Sequence, residues 1–161
     1  MHGTYETVDG KPAVRFERRL AQPVERVWRS VSEPAELAHW FPSQVSGELR
    51  LGSTLRFSFP GHDLPDSEGE VTELDPPRLL AFWWGTERLR FELEPDADGT
   101  LLRLTHVLGS ADQAARDAAG WHVCLDRLEH VSSGDWRELY EDYEARGLPT
   151  GAPIPSEARS G

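Results

Sequence analysis

A single cysteine, Cys124, leaves this chain of 161 residues without an internal disulfide. Lysine is as scarce, with Lys11 alone, so the basic charge is arginine, a usage expected of a GC-rich bacterial genome. Positive charge is short overall: 17 Lys and Arg face 28 Asp and Glu, for a net charge of −11. Affinity for polyanions comes from cations neutralising phosphates, so nucleic acid and anionic membrane surfaces are excluded as partners. No stretch approaches the roughly 20 apolar residues of a membrane-spanning helix, and the opening Met1 to Val14 lacks the apolar run of a secretory signal. These absences lead to the expectation of a cytoplasmic protein. Catalytic patterns are missing as well: there is no nucleophile elbow, phosphate-cradling glycine loop or zinc-protease helix. The sequence therefore assigns no catalytic residue and no cofactor, and leaves enzymatic activity open, leaning toward none.

The chain does carry a clear change of period along its length, within a size suited to one domain. Ala13 to Leu20 alternate, with Val14, Phe16 and Leu20 on one face and Arg15, Glu17 and Arg19 on the other; Arg18 breaks the pattern. Pro23 suits a first helical turn, and Val24, Val27, Trp28 and Val31 recur at helical spacing. Ser32 reads as an N-cap with Pro34 just inside, which predicts a second short helix over Glu33 to Trp40. From Val45 to Leu108, short alternating runs punctuated by Gly, Pro and Asp predict an antiparallel meander. Its six strands centre on Val45 to Leu49, Thr54 to Phe59, Glu68 to Leu74, Leu79 to Trp84, Arg88 to Glu94 and Thr100 to Leu108.

After Ser110, a second expected N-cap, the period turns helical, and Ala114, Ala118, Trp121, Leu125 and Leu128 form one stripe. Gly120 and Ser132 to Gly134 weaken this helix, so Asp135 to Arg146 is either a kinked continuation or a separate helix. The expected organisation is an N-terminal extension over residues 1–11, one domain over 12–146 and a flexible Gly- and Pro-rich tail over 147–161.

Five motifs in order carry a resemblance: Pro23-Val24-Glu25-Arg26-Val27-Trp28; Glu33-Pro34-Ala35-Glu36-Leu37 with Trp40; Gly69-Glu70-Val71 before Pro77-Arg78-Leu79; Leu104-Thr105-His106; and Gly120-Trp121. The chain resembles the START and Bet v 1 superfamily, in the branch named after the Hsp90 ATPase activator homologue domain. The resemblance implies an α+β helix-grip fold: a curved antiparallel seven-stranded sheet, two short helices, and a long C-terminal helix with a cavity between it and the sheet. It also implies a choice of roles, from chaperone co-activation to lipid or polyketide binding and resistance by sequestration, and the fold alone does not choose.

The leading expectation is a protein that binds a small hydrophobic ligand in that cavity. Alternation directs Leu55, Phe57, Phe59, Val71, Leu80, Phe82, Trp84, Leu89, Phe91, Leu93, Leu102 and Leu104 inward, to meet Trp121, Leu125 and Leu128 of the helix. From these, Phe57, Phe59, Val71, Phe82, Trp84, Leu89, Phe91, Leu102, Leu104, Trp121 and Leu125, with His106, are the candidate ligand contacts; a filled core is the other reading of the same pattern. His106 shares the inward face and needs a hydrogen-bond partner or a ligand. Arg18 either joins it to read a ligand carboxylate or phenolate, or instead reaches the sheet edge or pairs with an acidic residue. His122 and His130, eight residues apart, could share a helix face, but Cys124 points elsewhere, so no metal site is expected there. His62, Asp63, Asp66 and Glu68 make an acidic stretch that either holds a cation weakly or, as the favoured reading, is solvated, with the loop Pro60 to Ser67 covering the cavity mouth as a lid. Trp83 is left on the outer face. A cyclase- or hydrolase-like enzyme using His106 is the alternative function. Docking on an Hsp90-type chaperone is the weaker one, since the co-activator architecture pairs this domain with an N-terminal domain not seen here. Oligomeric state is not readable.

Overall fold

Asp9 and Gly10 both adopt left-handed backbone, with φ of 50° and 77°, and close a two-residue hairpin flanked by the paired Val8 and Lys11. This hairpin joins β1 (Thr4–Val8) to β2 (Lys11–Leu20), so the expected N-terminal extension is largely a strand. The computed structural model describes residues 2–154. The meander follows as β3 (Gln44–Ser46), β4 (Thr54–Ser58), β5 (Ser67–Asp75), β6 (Leu79–Trp84), β7 (Glu87–Asp96) and β8 (Gly99–Val107). All neighbours are antiparallel in the order β1-β2-β8-β7-β6-β5-β4-β3, an α+β sheet of eight strands rather than seven.

Between β2 and β3 run α1 (Val24–Ser32) and α2 (Pro34–Leu37). Helix α1 buries Val24, Val27 and Val31, with Glu25 in its first turn and Arg29 in its last, both aligned with the helix dipole. Helix α2 is a single turn, shorter than the pattern predicts. Its cap is Glu33 rather than Ser32, whose hydroxyl instead donates back to the Trp28 carbonyl at 2.6 Å. Beyond it Trp40 is buried and donates its indole N–H to the Ser30 carbonyl at 2.9 Å.

A short 3₁₀ turn at Ala111–Gln113 leads into α3 (Ala114–Leu128), and Ser110 bonds Asp112 instead of capping. The stripe Ala114, Ala118, Trp121, Leu125 and Leu128 is buried, and the sheet grips α3 as the resemblance implies. His130, at φ 59°, ends this stretch. Asp135 then caps a separate helix, α4 (Trp136–Ala145), by accepting from the Arg137 amide at 2.8 Å.

The segment after α4 differs from the flexible tail expected over 147–161. Leu148 and Ala152 are buried, the Ala115 amide donates to the Pro149 carbonyl at 3.0 Å, and the Ala152 amide donates to the Asp112 carbonyl at 3.2 Å. The physical reason lies in α3, whose first amides lack intrahelical partners and here find a carbonyl in the returning chain. Residues 155–161 of that tail lie outside the described residues.

The core is a continuous aromatic and aliphatic band. Phe57 stacks on Phe82 with ring centroids 5.6 Å apart, Phe82 lies 6.2 Å from Phe91, and Trp40 meets Phe91 edge-on at 6.1 Å. Each such side chain contributes about 1.5–3 kcal/mol by leaving water. Gly69 permits the sheet to close here, because a Cβ on it would sit 1.5 Å from the Trp83 carbonyl oxygen.

Candidate functional site

Four elements, β6, β7, β8 and α3, converge near the turn between β6 and β7. Period-2 alternation puts Glu87 on the inward face of Leu89, Phe91 and Leu93, and the β7–β8 register sets Leu89 opposite His106. From α3, Asp117 and Trp121 stand four residues apart on one helical face. Trp84 closes the group, its ring 5.7 Å from His106, 5.8 Å from Trp121 and 5.6 Å from Phe41.

A directional chain of hydrogen bonds runs through this group. The Trp121 indole N–H lies 2.9 Å from His106 Nδ1, and His106 Nε2 lies 2.6 Å from Glu87 Oε1. An indole can only donate, so Nδ1 carries the lone pair; Nε2 carries the proton and donates it to the Glu87 carboxylate. His106 is 1% exposed, whereas the Glu87 side chain is 23% exposed and reaches the surface. The Gln113 amide donates to Glu87 Oε2 and to Asp117 Oδ2, both at 3.1 Å, and Arg116 Nε donates to Asp117 Oδ1 at 2.9 Å. Burial works to raise the Glu87 carboxyl, but hydrogen bonds from His106 and Gln113 and the charge of Arg116 hold it below the ordinary glutamate value.

Above this chain lies a cleft of about 350 Å³, open to solvent. Phe59, Leu64, Pro65 and Ser67 form one side, Gln113, Arg116 and Asp117 the other, and Trp84 and Glu87 lie between. The loop expected to cover the cavity mouth thus supplies the cleft's apolar rim.

Among the sequence-designated contacts, Phe59 and Trp84 line this cleft. Phe57, Val71, Phe82, Leu89, Phe91, Leu102, Leu104, Trp121 and Leu125 are buried in the band beneath it, and His106 acts on the cleft through Glu87. Arg18 and His106 do not meet. The β2–β8 register pairs Val14 with His106 and Arg18 with Leu102, four residues or about 13 Å along the strand. Arg18, 3% exposed, pairs with Asp126 at 2.7 Å and Glu129 at 3.3 Å, while its Nε and Nη2 find no acceptor. The acidic pairing weighed for Arg18 is therefore the one observed.

His122, Cys124 and His130 do not converge. His122 Nδ1 bonds the Tyr143 hydroxyl at 2.8 Å, Cys124 is buried with its thiol pushed up to about 12 by desolvation, and His130 is exposed. A different trio, Glu87, His106 and Asp117, brings ligand atoms within 4.8 Å of one another. Its chemistry does not fit a metal. A histidine ligating through Nε2 keeps a proton on Nδ1 to donate outward, and here Nδ1 faces another donor, Trp121.

Glu87 and Asp117 were not singled out by the sequence reading. A strand read from Arg88 to Glu94 begins one residue after Glu87, although the alternation of Leu89, Phe91 and Leu93 extends back to it. Asp117 carried the signal of its four-residue spacing from Trp121.

A second concavity, of about 520 Å³, lies on the outer sheet face beside Trp83, which is 36% exposed. Its arginines are engaged: Arg88 and Arg90 pair with Glu73 at 2.9 and 3.2 Å, and Arg15 with Glu6 at 3.3 Å.

A comparison with curated proteins found no match. Among solved structures, a protein described as conserved and of unknown function, EF2215 from Enterococcus faecalis, is 23% identical with a TM-score of 0.76 over 89% of each chain. CalU16 from Micromonospora echinospora is 24% identical with a TM-score of 0.70, covering 89% of this chain and 92% of that one. DynU16, a protein in the dynemicin biosynthetic locus, is 25% identical with a TM-score of 0.64, over 73% of this chain and 46% of that one. These likenesses establish the helix-grip fold. The family model described as Activator of Hsp90 ATPase homolog 1-like protein matches residues 21–133, and the chain belongs to that family.

Proposed function

We propose that the chain binds a small hydrophobic, aromatic molecule in the cleft bounded by Trp84, Phe59 and the start of α3, for carriage or sequestration. The observation that carries this reading is the cleft's make-up: about 350 Å³ with Trp84, Phe59, Leu64 and Pro65 as apolar walls and a few convergent polar groups. Small-molecule sites combine those features, and a ring laid against Trp84 gains both area and favourable ring geometry. The deep interior supports the cleft from beneath, where Phe57, Phe82, Phe91 and Trp40 pack ring against ring. DynU16 being a protein of a biosynthetic locus supports a small biosynthetic product as the ligand class.

As an acid or base, His106 has little to offer a bound molecule, since Trp121 and Glu87 engage both ring nitrogens. Binding without turnover is the reading that fits this arrangement.

The test is a thermal-shift and tryptophan-fluorescence screen of the purified chain against a panel of hydrophobic aromatics. A ligand present at about 100 times its Kd stabilises the native state by about 2.7 kcal/mol, a visible rise in Tm. Trp84→Leu should weaken the hits at least several-fold. A Tm and fluorescence that ignore the whole panel would overturn the proposal.

A further inference from the structure

Resting on the cleft reading, we infer that the ligand carries a positively charged group, a protonated amine seated between Glu87 and Asp117 with its apolar body against Trp84. The two carboxylates bring oxygens within 4.8 Å of each other and of His106 Nε2, at the floor of the cleft. Both remain part-exposed, at 23% and 18%, and so are reachable from the cleft.

Their hydrogen-bond capacity is not used up. A carboxylate offers about four lone-pair sites. Glu87 accepts from His106 and Gln113 on Oε1 and from Gln113 on Oε2, which leaves a site on Oε2; Asp117 accepts one bond on each oxygen, from Arg116 and Gln113, which leaves a site on each. An ammonium group brings the donors that these remaining sites lack. The charge count has the same sign: Glu87 and Asp117 outnumber Arg116, whose Nη1 is turned to the Pro153 carbonyl at 3.1 Å. Of the charged side chains that line the cleft, two carboxylates stand against one guanidinium, within a chain of net charge −11. The face of Trp84 adds attraction for a cation placed over it. This reverses the anion-reading role considered for Arg18 and His106, because Arg18 lies outside the cleft and His106 presents its proton to a carboxylate.

The experiment titrates the full chain at pH 7 with three probes of one shape: 2-naphthylmethylamine, 2-naphthalenemethanol and 2-naphthoic acid. The amine is expected to bind about 10-fold tighter than the alcohol, with the acid weakest. Glu87→Gln and Asp117→Asn, each checked by its melting temperature, should each cut amine affinity several-fold, and together remove the preference for the amine over the alcohol. Equal affinity for all three probes, or an amine preference that survives the double variant, overturns the charge inference and leaves the cleft reading standing. No binding of any probe overturns both.

Discussion

The indole N–H of Trp121 donates to Nδ1 of His106 at 2.9 Å, and that single bond fixes what lies beyond it. It leaves the His106 proton on Nε2, aims that proton at Glu87, and so holds a carboxylate at the base of a cleft whose wall is Trp84. The tautomer follows from a donor-only partner, and it is directly observable. Long-range proton–nitrogen correlation spectra should show His106 protonated at Nε2 and bare at Nδ1. Trp121→Phe removes the donor, leaves a buried acceptor unsatisfied, and should cost about 1–3 kcal/mol of stability together with a change in the Nδ1 shift. A proton on Nδ1 in the unaltered protein would contradict the arrangement.

Arg18 and Asp126 form a buried pair that costs more to break than to replace. Asp126→Leu leaves the guanidinium buried with only Glu129 near it, and should destabilise by about 3–5 kcal/mol. Adding Arg18→Met to that variant should recover most of the loss. Chemical denaturation of the two variants checks this, and a double variant no more stable than Asp126→Leu alone would contradict it.

Acid weakens the fold through His122. Burial pushes this ring down from the ordinary histidine value to about 4, with Asp126 opposing, so the unfolded chain binds the proton more readily than the folded one. Stability from this group is therefore complete above about pH 6.5 and is lost as pH falls toward 4, by roughly 3 kcal/mol in all. Glu87, held below its ordinary value, adds stability above about pH 4.5 that is lost as acidity increases further. Melting curves from pH 7 to 4.5 should show this decline, and His122→Gln should flatten it. A wild-type Tm unchanged over that interval would contradict the assignment.

Gly69 holds β5 against β6. Gly69→Ala places a methyl 1.5 Å from the Trp83 carbonyl oxygen, in backbone that cannot yield as a side chain would. The expected loss is about 3 kcal/mol or more. A variant melting within a degree or two of the parent would show that β5 and β6 have room to separate.

Much of the fold was legible because it rests on period. Alternation gave the meander strands to within a few residues, and the stripe from Ala114 to Leu128 gave the gripped helix. Strand β1 also left a signal, the Asp9-Gly10 pair, which suits a two-residue hairpin better than an extension. The packing of Leu148 to Pro153 did not: Gly147, Pro149, Gly151 and Pro153 suggest a free chain, and only the unmet amides of α3 explain why it returns.

The site was half legible for a related reason. A run of inward aromatics looks the same whether it lines a cavity or fills a core, so Phe57, Phe82 and Phe91 were indistinguishable from Phe59 and Trp84. Separating them requires knowing which strand ends reach the rim. Arg18 and His106, both inward on neighbouring strands, could be placed apart only once the β2–β8 register was known.

The account's central claim is that the binding site is the cleft at Trp84, and the chain's six tryptophans make it testable in one titration. The indole N–H resonances should be followed by NMR while 2-naphthylmethylamine is added. The Trp84 signal should move first and furthest and saturate, with Trp121 following weakly through His106 and Trp83 on the outer face unmoved. A saturating shift confined to Trp83, or no shift at Trp84, would contradict it.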